Sequence, residues 1–461
     1  MQRPDNFSTF KRLRNEFPFF SFEDYAFRIT EKGLFIEYTF NLSDRYIFKP
    51  TVTVPYKNNI YRPIDRLSHE ILDRLVFNAG MIELVSYWKA ACPIHVIIKP
   101  GCLFQDQVKF WKKTYYQGLG EFFYLNSILT SEEEFMEIDA RQDKKISLVH
   151  PGLSAGGIVP VGGGKDSVVS MELLNGSGAD WLPMAINPGK ATKAVINAAN
   201  KRPEETIEFY REIDPQLIKL NQEGFLNGHT PFSALLAFYS LIAAYLSGRK
   251  DIILSNESSA NEATVPGTNI NHQYSKSLEF EKDFRDFVSG FISKEFNYFS
   301  FLRPISELQI AGLFAGMKNY HAGFRSCNVG SKTGSWCGHC PKCLFTFIIL
   351  SPFLKPDELV EIFGKNLLED LSLAHILEEL TGIIEVKPFE CIGTVDEVNL
   401  AFSVAKDMYP EDKMPALIRS YPQLVENKKI SEEKFKDLLK SFNPGHFLTG
   451  PYFNILTAAI R

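Results

Sequence analysis

The sequence predicts an α/β protein whose centre is a doubly wound parallel sheet. Apolar strand-like runs alternate with amphipathic helical patterns from about residue 147 onward, which is typical of parallel sheets with helices on both faces. A run of three glycines directly follows one of these strands. With 461 residues, the chain also exceeds the length that one hydrophobic core usually serves, so two or three domains are expected.

An N-terminal α+β domain is predicted over residues 1–145. Apolar and polar residues alternate over 34–41, which predicts a half-buried strand, and 51–54 predicts its hairpin partner. Helical patterns follow over 64–91 and 107–128. This region carries no nucleotide-binding motif, and substrate binding is its candidate role.

A nucleotide-binding domain is predicted over residues 146–350, after a charge-rich stretch at 132–145 that we interpret as a linker. Beyond it, residues 351–461 are expected to be mainly helical, with prolines that punctuate the helical patterns. The central domain has predicted strands at 158–161, 181–186 and 252–254, and predicted helices at 167–174, 190–200 and 233–246.

Composition restricts the classes of function. The hydrophobic content of 45% is typical of a globular protein, and the net charge of −5 argues against bulk electrostatic binding of nucleic acid. The longest apolar segment, 233–246, is too short to insert across a bilayer, and we recognise no targeting signal. Seven cysteines without a disulfide framework favour a reducing compartment, so we expect a cytoplasmic protein, of undetermined oligomeric state.

The most informative segment is the glycine loop, Gly162–Ser167, with the sequence Gly-Gly-Gly-Lys-Asp-Ser. It lies between an apolar strand and a predicted helix, for which Asp166 or Ser167 is the expected N-cap. Its glycines allow a tight turn, so that several backbone N–H groups and the helix N-terminus face one anion. The spacing is not that of Walker A. A tight strand-to-helix turn without a ligand is the alternative.

The glycine loop resembles the pyrophosphatase loop, Ser-Gly-Gly-x-Asp-Ser, of enzymes that split ATP into AMP and pyrophosphate. Gly162 stands where that motif has its first serine, so one hydroxyl donor is missing. The resemblance implies binding of ATP and an adenine nucleotide alpha hydrolase-like fold.

A second polar segment follows the predicted strand 252–254. Its Asn256 and Glu257 are expected at the carboxyl end of that strand, where open parallel sheets bind ligands. Because carboxylate oxygens suit Mg²⁺, the segment is a candidate for holding magnesium or substrate. An ordinary polar loop is the alternative.

Four cysteines near the end of the predicted nucleotide domain form a candidate metal site. Their spacing suits a closed tetrahedral zinc site, in which thiolates fill every position. An iron–sulfur cluster also uses closely spaced cysteines, but the run lacks the fuller ferredoxin spacings, so zinc is preferred. Free buried cysteines are the remaining alternative. The four residues are Cys327, Cys337, Cys340 and Cys343.

Six further segments narrow the resemblance. They are 227–231 (Asn-Gly-His-Thr-Pro), 255–260 (Ser-Asn-Glu-Ser-Ser-Ala), 271–276 (Asn-His-Gln-Tyr-Ser-Lys), 302–308 (Leu-Arg-Pro-Ile-Ser-Glu-Leu), 336–343 (Trp-Cys-Gly-His-Cys-Pro-Lys-Cys) and 387–391 (Lys-Pro-Phe-Glu-Cys). With the glycine loop, the series resembles the ATP-dependent UDP-N-acetylmuramoyl-L-alanyl-L-glutamate epimerases of bacterial cell-wall synthesis. The likeness extends from about residue 87 to about residue 393.

The resemblance implies an isomerase of peptidoglycan precursor synthesis that converts the terminal L-Glu of UDP-N-acetylmuramoyl-L-alanyl-L-glutamate to D-Glu. ATP would go to AMP and pyrophosphate. Joining the substrate carboxylate to AMP, as an acyl-adenylate, neutralises its charge and makes the neighbouring α-proton more acidic. The implied cofactors are ATP and Mg²⁺, with a structural Zn²⁺ at the cysteines.

Within that scheme, most of the candidate residues bind nucleotide or substrate. Lys165 and Lys276 counter the charge of the phosphates, and Asp166 and Glu257 are candidates for magnesium. Arg303 is a candidate for the UDP diphosphate or the glutamate side chain, with a surface salt bridge as the alternative. The nucleotide-binding set is Gly162, Gly163, Gly164, Lys165, Asp166, Ser167, Asn256, Glu257, Lys276 and Arg303.

Three residues are candidates for moving the α-proton. Cys391, outside the cysteine cluster, is the first choice, since a thiolate can take such a proton. His229 and His272 compete with it because histidine titrates near neutrality. A structural role is the alternative for each of the three. Lys165 and Asp166 complete the predicted catalytic set.

Two other functions remain open from the sequence. One is another pyrophosphatase-loop enzyme, which adenylates a nucleobase or tRNA for amination or thiolation. A similar cysteine site follows the loop in the enzymes that make 7-cyano-7-deazaguanine. The other is a scaffold that binds ATP and zinc without catalysis.

Overall fold

The structure is a computed structural model that describes residues 6–141, 147–262, 264–265, 267, 270–424 and 428–460. Strands and α-helices alternate through these ranges. The strands are β1 (Phe19–Thr30), β2 (Gly33–Leu42), β3 (Tyr46–Phe48), β4 (Thr51–Pro55), β5 (His95–Cys102), β6 (Glu137–Arg141), β7 (Ser154–Pro160), β8 (Trp181–Ile186), β9 (Ile207–Glu212), β10 (Arg249–Leu254) and β11 (Asn297–Ser300).

The α-helices become denser toward the C-terminus. They are α1 (Phe7–Glu16), α2 (His69–Trp88), α3 (Gln105–Gly118), α4 (Gly120–Leu125), α5 (Lys165–Gly176), α6 (Lys190–Ala198), α7 (Pro215–Gln222), α8 (Phe232–Ser247), α9 (Leu278–Phe291), α10 (Glu307–Ala315), α11 (Asn328–Thr333), α12 (Pro341–Leu350), α13 (Pro356–Phe363), α14 (Ala374–Thr381), α15 (Val395–Ala405), α16 (Ala416–Ser420), α17 (Lys428–Leu438) and α18 (Gly450–Ala459).

Internal contacts divide the chain into two compact units, each assembled from separate stretches of sequence. The first unit comprises Met1–Ile158, Ile207–Ile252 and Asn269–Tyr298, and the second comprises Val159–Thr206, Ile253–Thr268 and Phe299–Arg461. The domains predicted above are continuous in sequence, and their roles stay a prediction.

The first unit contains a mixed sheet. Strands β9, β4, β2, β1, β5 and β6 lie side by side in that order, and β3 pairs with β2. The predicted hairpin partner is confirmed, because β2 and β4 are antiparallel with Phe35 opposite Thr53. Strand β5 is parallel to both β1 and β6.

The predicted linker is wrong in part. Residues 137–141 form β6, which pairs in parallel with β5 and places Ile138 opposite Val96. The alternation of apolar and charged residues in this stretch fits an edge strand, where one face is solvated. Residues 142–145 of the predicted linker lie outside the described residues.

Two buried helices and a cluster of aromatic rings form the core of the first unit. Helix α2 packs against β1, β2 and α8, and α8 is buried along almost its whole length. Phe22, Phe40 and Tyr87 belong to the ring cluster that covers the sheet, and each is fully buried. Burial on all sides explains why α8 reads as a continuous apolar run rather than an amphipathic pattern.

A buried ion pair joins three elements of the first unit. Glu83 on α2 is fully buried and accepts hydrogen bonds from Arg211 on β9, with Arg211 Nε 2.8 Å from Glu83 Oε2. The Tyr239 hydroxyl on α8 donates to the same oxygen at 3.3 Å. Because both carboxylate oxygens have donors, the charge is compensated inside the core.

The second unit contains β8 and most of the later helices, while β7, β10 and β11 have residues in both units. Strands β11, β10, β7 and β8 lie side by side in that order. Strands β7 and β10 are parallel, with Gly157 opposite Asp251, as the predicted doubly wound sheet requires. The predicted strands and helices of this region are present with shifted ends, and 181–186 matches β8. Strands combined with helices confirm the α/β class.

Helix α12 forms the centre of the second unit. Its residues from Cys343 to Leu350 are all buried, and it packs against α10, α13, α14 and α15. The residues after 351 form several helices, as predicted. Among the residues that the structure describes, no helix combines the length and hydropathy that crossing a membrane requires.

We predict that Arg211→Ala lowers the free energy of unfolding by about 3–5 kcal/mol, because it leaves the Glu83 carboxylate buried without its cation. Urea denaturation measures the change. The control is Arg202→Ala, because Arg202 forms an exposed pair with Glu205 and its side chain is 73% exposed. The control should leave the urea midpoint unchanged. Equal losses of unfolding free energy in the two variants would contradict the claim that burial makes the Arg211–Glu83 pair important for stability.

Candidate functional site

The glycine loop has the strand–turn–helix arrangement that the sequence predicts. It follows β7 and leads directly into α5, which begins at Lys165. Gly163 has φ +95°, and a Cβ there would approach the Thr192 backbone nitrogen to 2.8 Å. At Gly162 a Cβ would meet nothing within 4 Å. The turn therefore requires glycine at position 163 but not at position 162.

The predicted N-cap is wrong. The N-cap of α5 is Gly164, because the helix begins before Asp166 and Ser167. Ser167 instead donates a hydrogen bond from its hydroxyl to the Gly164 carbonyl at 2.9 Å. Asp166 lies in the first helical turn, where its carboxylate interacts favourably with the positive end of the helix.

Lys165 is buried and forms ion pairs with two carboxylates. Its ammonium group contacts Glu307 at the start of α10 and lies 2.5 Å from Asp166 Oδ1. Burial opposes the charged form, but the charges of Asp166 and Glu307 outweigh it and raise the pKa of Lys165 above its usual value. The cation at the end of the glycine loop is therefore held in place by the protein itself.

Negative charge exceeds positive charge around Lys165. Burial acts to raise the pKa of Glu307, as do the charges of Asp166 and Glu257, whereas the ion pair with Lys165 acts to lower this pKa and favours the carboxylate. Glu397 is also buried, and its pKa is raised by burial and by the charge of Glu257. Carboxylates placed this way suit a divalent cation, whose charge would relieve their mutual repulsion.

The polar segment after β10 is held by a buried arginine. Arg303 is fully buried, so the alternative of a surface salt bridge is wrong. Its guanidinium donates to the Glu257 carbonyl at 2.5 Å and to the Ser300 hydroxyl at 3.2 Å. Asn256 donates to the same hydroxyl at 3.0 Å. These bonds fix the backbone at the carboxyl end of β10.

The segment around residues 387–393 packs against the same carboxylates. Lys387 forms an ion pair with Glu262 and donates to the Gly393 carbonyl at 3.0 Å. A Cβ on Gly393 would lie 3.1 Å from a Glu397 carboxylate oxygen and 3.2 Å from Glu307 Cγ. The structure thus brings this segment together with the residue that holds Lys165.

The four predicted metal ligands converge in the second unit. The sulfur atoms of Cys327, Cys337, Cys340 and Cys343 all lie within 4.8 Å of one another. Two of the sulfur–sulfur distances are 3.5 Å, close to the separation of about 3.8 Å that a tetrahedral zinc with 2.3 Å bonds requires. Backbone N–H groups of Gly330 and Gly338 donate to two of the sulfurs. This donor set fits zinc.

Cys391 lies on a segment that is tied to the cysteine cluster. Its neighbour Glu390 forms an ion pair with Lys342 at 3.1 Å and accepts a hydrogen bond from Asn328 at 3.4 Å. Both partners are next to metal-ligand candidates in the sequence. Cys391 itself is half-buried.

The two predicted histidines meet in the first unit, where they share a carboxylate. His272 Nδ1 lies 2.5 Å and His229 Nδ1 lies 3.2 Å from Glu121 Oε2. The ring centroids are 4.7 Å apart. Burial, followed by the charge of His272, lowers the pKa of His229 to about 4, and the charges of Lys89 and Lys276 act in the same direction.

Lys89 anchors the loop that carries His229. Its ammonium group donates to the Gly228 carbonyl and, at 2.6 Å, to the Thr230 hydroxyl. Burial lowers the pKa of Lys89 to about 8. The loop is therefore fixed on both sides of the histidine by one buried cation.

Comparison with known proteins identifies the family. A family model described as the MurL N-terminal domain matches residues 11–301, and one described as the MurL C-terminal domain matches residues 323–435. The chain belongs to the MurL family. The N-terminal match includes the glycine loop and both histidines, and the C-terminal match includes the four clustered cysteines and Cys391.

Curated relatives named UDP-N-acetyl-alpha-D-muramoyl-L-alanyl-L-glutamate epimerase are similar in sequence to this chain over most of its length. A protein of Xanthomonas oryzae pv. oryzae is 35% identical over 360 residues, covering 75% of this chain and 78% of that protein. A relative from Salinispora tropica is 31% identical, and the match covers 93% of this chain and 94% of that protein. A relative from Micromonospora sp. is 32% identical, and the match covers 95% of this chain and 97% of that protein. No solved structure matches the chain.

Sequence reasoning missed the partners of the predicted residues. Glu307 lies in the segment 302–308 and Glu121 in the helical pattern over 107–128, and the sequence alone assigns a role to neither. Glu307 opens a helix behind the capping-box pattern Ser306-x-x-Gln309, a signal that marks a helix start but not an ion pair. Lys89 has no sequence signal beyond its place directly after two buried aromatic residues, Tyr87 and Trp88.

We predict that Gly163→Ala destabilises the protein by about 1–3 kcal/mol, because alanine resists a positive φ and its Cβ meets the Thr192 backbone. Gly162→Ala is the matched control, since the space beside it is open. Urea denaturation of both variants measures the difference. If the two variants prove equally stable, the turn geometry assigned to Gly163 is wrong.

Proposed function

We propose that this protein is an ATP-dependent epimerase that converts the terminal L-Glu of UDP-N-acetylmuramoyl-L-alanyl-L-glutamate to D-Glu, with release of AMP and pyrophosphate. Membership of the MurL family and the names of the curated relatives support the epimerisation of this substrate in peptidoglycan precursor synthesis. The observation that supports the use of ATP is the glycine loop, with its strand–turn–helix geometry and the buried Lys165 at the helix start.

Activation of the substrate explains why an epimerase would consume ATP. A free carboxylate next to the α-carbon opposes removal of the α-proton, because the resulting carbanion would add a second negative charge. An acyl-adenylate removes that charge and accepts the electrons of the broken C–H bond. Hydrolysis of the adenylate after inversion releases AMP and restores the carboxylate.

The residues around the glycine loop have distinct parts in this proposal. The backbone N–H groups of the loop face the phosphates, the Ser167 hydroxyl would turn from the Gly164 carbonyl to donate to them, and Lys165 supplies positive charge near them. Asp166 and Glu257 are the proposed ligands of Mg²⁺, which neutralises phosphate charge when bound, and Glu307 adds to their negative field.

Lys276, Arg303 and Asn256 are also proposed to take part, and no single step of the reaction is assigned to them. Lys276 lies close to His229, whose pKa its charge lowers, and this places it near the predicted acid/base groups of the first unit. Arg303 and Asn256 fix the backbone after β10. Cys391, His229 and His272 stay the candidates for moving the α-proton.

The decisive experiment incubates the protein with ATP, Mg²⁺ and the L-Glu nucleotide. We expect D-Glu after hydrolysis of the product, together with AMP and pyrophosphate, measured by chiral chromatography and nucleotide analysis. ATP consumption only with a purine or tRNA acceptor would favour another pyrophosphatase-loop enzyme. Binding of ATP with no AMP or pyrophosphate would leave a non-catalytic scaffold.

We predict that Asp166→Ala abolishes AMP formation, because it removes a magnesium ligand and one of the two carboxylates that hold Lys165. The matched control is Asp106→Ala, which removes an exposed aspartate from the first turn of α3. AMP release per minute is the measurement. Full activity of the Asp166 variant would contradict its role.

We also propose that the four clustered cysteines hold a structural Zn²⁺. Cys340→Ser is expected to lose the metal and to lower the thermal midpoint, since a closed thiolate site contributes to folding. Cys102→Ser is the control, because Cys102 is exposed and outside the cluster. Elemental analysis measures zinc per chain. Iron with a visible absorption band would indicate a cluster instead.

A further inference from the structure

Glu121, His229 and His272 come from three separate segments of the first unit and meet at one oxygen atom. Glu121 lies on α4, His229 on the loop before α8, and His272 shortly before α9. All three side chains are largely buried, with 13%, 21% and 11% of their surfaces exposed. Both rings direct the same nitrogen, Nδ1, toward Glu121 Oε2.

We infer that Glu121 holds His229 and His272 as an acid/base pair that moves the α-proton on the two faces of the glutamate carbon. The inference rests on the proposed epimerase function. Of the three candidates for proton transfer, His229 and His272 thus act together as one pair, and Glu121 is a positioning residue.

The chemistry of inversion requires two groups of this kind. One neutral imidazole takes the proton as the α C–H bond breaks, and the electron pair delocalises into the activated carboxyl group. The other ring, as an imidazolium, gives its proton to the opposite face, and a new C–H bond forms. The pair holds one extra proton before and after the step, and exchange with water returns it to the starting ring.

The shared carboxylate suits this task. His272 Nδ1 shares a hydrogen bond with Glu121, and His229 Nδ1 faces the same oxygen at 3.2 Å, so we assign proton exchange with the substrate to Nε2 of each ring. The two rings are tilted by 56° with their centroids 4.7 Å apart, so they present different edges to their surroundings. The carboxylate charge also stabilises the imidazolium form.

The charges around His229 and His272 indicate which ring acts as the base and which acts as the acid. His229 faces His272, Glu121, Lys89 and Lys276, and its pKa of about 4 leaves it neutral at pH 7. It is therefore in the neutral form that can accept a proton. The Glu121 oxygen lies 0.7 Å closer to His272 (3.2 Å against 2.5 Å), where it stabilises an added proton more strongly.

A metal ion is a poorer occupant of this cluster. Ligands of one metal with bonds of about 2.1 Å are separated by about 3 Å or more, whereas His272 Nδ1 and Glu121 Oε2 are 2.5 Å apart. That distance is typical of a hydrogen bond to a charged group. The positive charges of Lys89 and Lys276 also act on this site and oppose a second cation.

The experiment follows proton exchange for each substrate epimer separately. Wild type, His229→Gln and His272→Gln are incubated in deuterated water with ATP, Mg²⁺ and either the L-Glu or the D-Glu nucleotide. We expect each variant to lose epimerisation by about 100-fold or more. Each should still exchange the α-proton of only one epimer, and the two variants should differ in which one. Mass spectrometry detects the exchange, and pyrophosphate release in a single turnover shows that each variant is folded.

Glu121 is tested by its own pair of variants. Glu121→Gln should lower kcat at least about tenfold with little change in KM, and should move the alkaline limb of the pH profile to lower pH, since the acid loses its stabilising charge. Glu121→Asp should restore part of the rate. A purely structural role would not move the pH profile.

Each remaining result contradicts the inference in a recognisable way. If both histidine variants epimerise normally while Cys391→Ser does not, the thiol moves the proton. A metal site would give a different set of results. Both histidine variants would lose α-proton exchange with both epimers, a chelator would inactivate the wild type, and Glu121→Gln would contain one metal ion fewer than the wild type. A wild type that makes no D-Glu would instead defeat the proposed function.

Discussion

The buried ion pair between Lys165 and Glu307 is the constraint on which the second unit depends. Each charge is almost fully enclosed, so neither is tolerable without the other, and removal of one partner of such a pair costs about 3–5 kcal/mol. The pair joins the first turn of α5 to the first turn of α10. It thereby fixes the end of the glycine loop and places the Glu307 Cγ beside Gly393.

Both units use buried charge to hold loops that carry candidate functional residues. In the second unit, Arg303 holds the backbone after β10 through carbonyl and hydroxyl acceptors. In the first unit, Lys89 does the same for the loop around His229. A buried cation that donates to backbone carbonyls allows a loop to be rigid without regular secondary structure, because its polar groups are satisfied.

Local patterns in the sequence account for much of the fold and for part of the site. The strand, the tight turn and the helix around Gly163 were predictable because each depends on neighbouring residues. The contacts of Glu121 and Glu307 were not, since their partners are more than 100 residues away in sequence. The charged composition of residues 137–141 predicts a linker although they form a strand, because an edge strand with charged residues has the composition of a loop.

The open space beside Gly162 bears on how such loops are recognised. The residue departs from the resembled motif at a position of the loop that has room for a side chain, whereas any other residue at position 163 would be strained by the positive φ and the close Thr192 backbone. The residue at the first position of the loop thus determines whether a side-chain hydrogen-bond donor is present. The residue at the second position determines whether the backbone can make the turn. A motif that weights both positions equally will treat a tolerated substitution and a destabilising one alike.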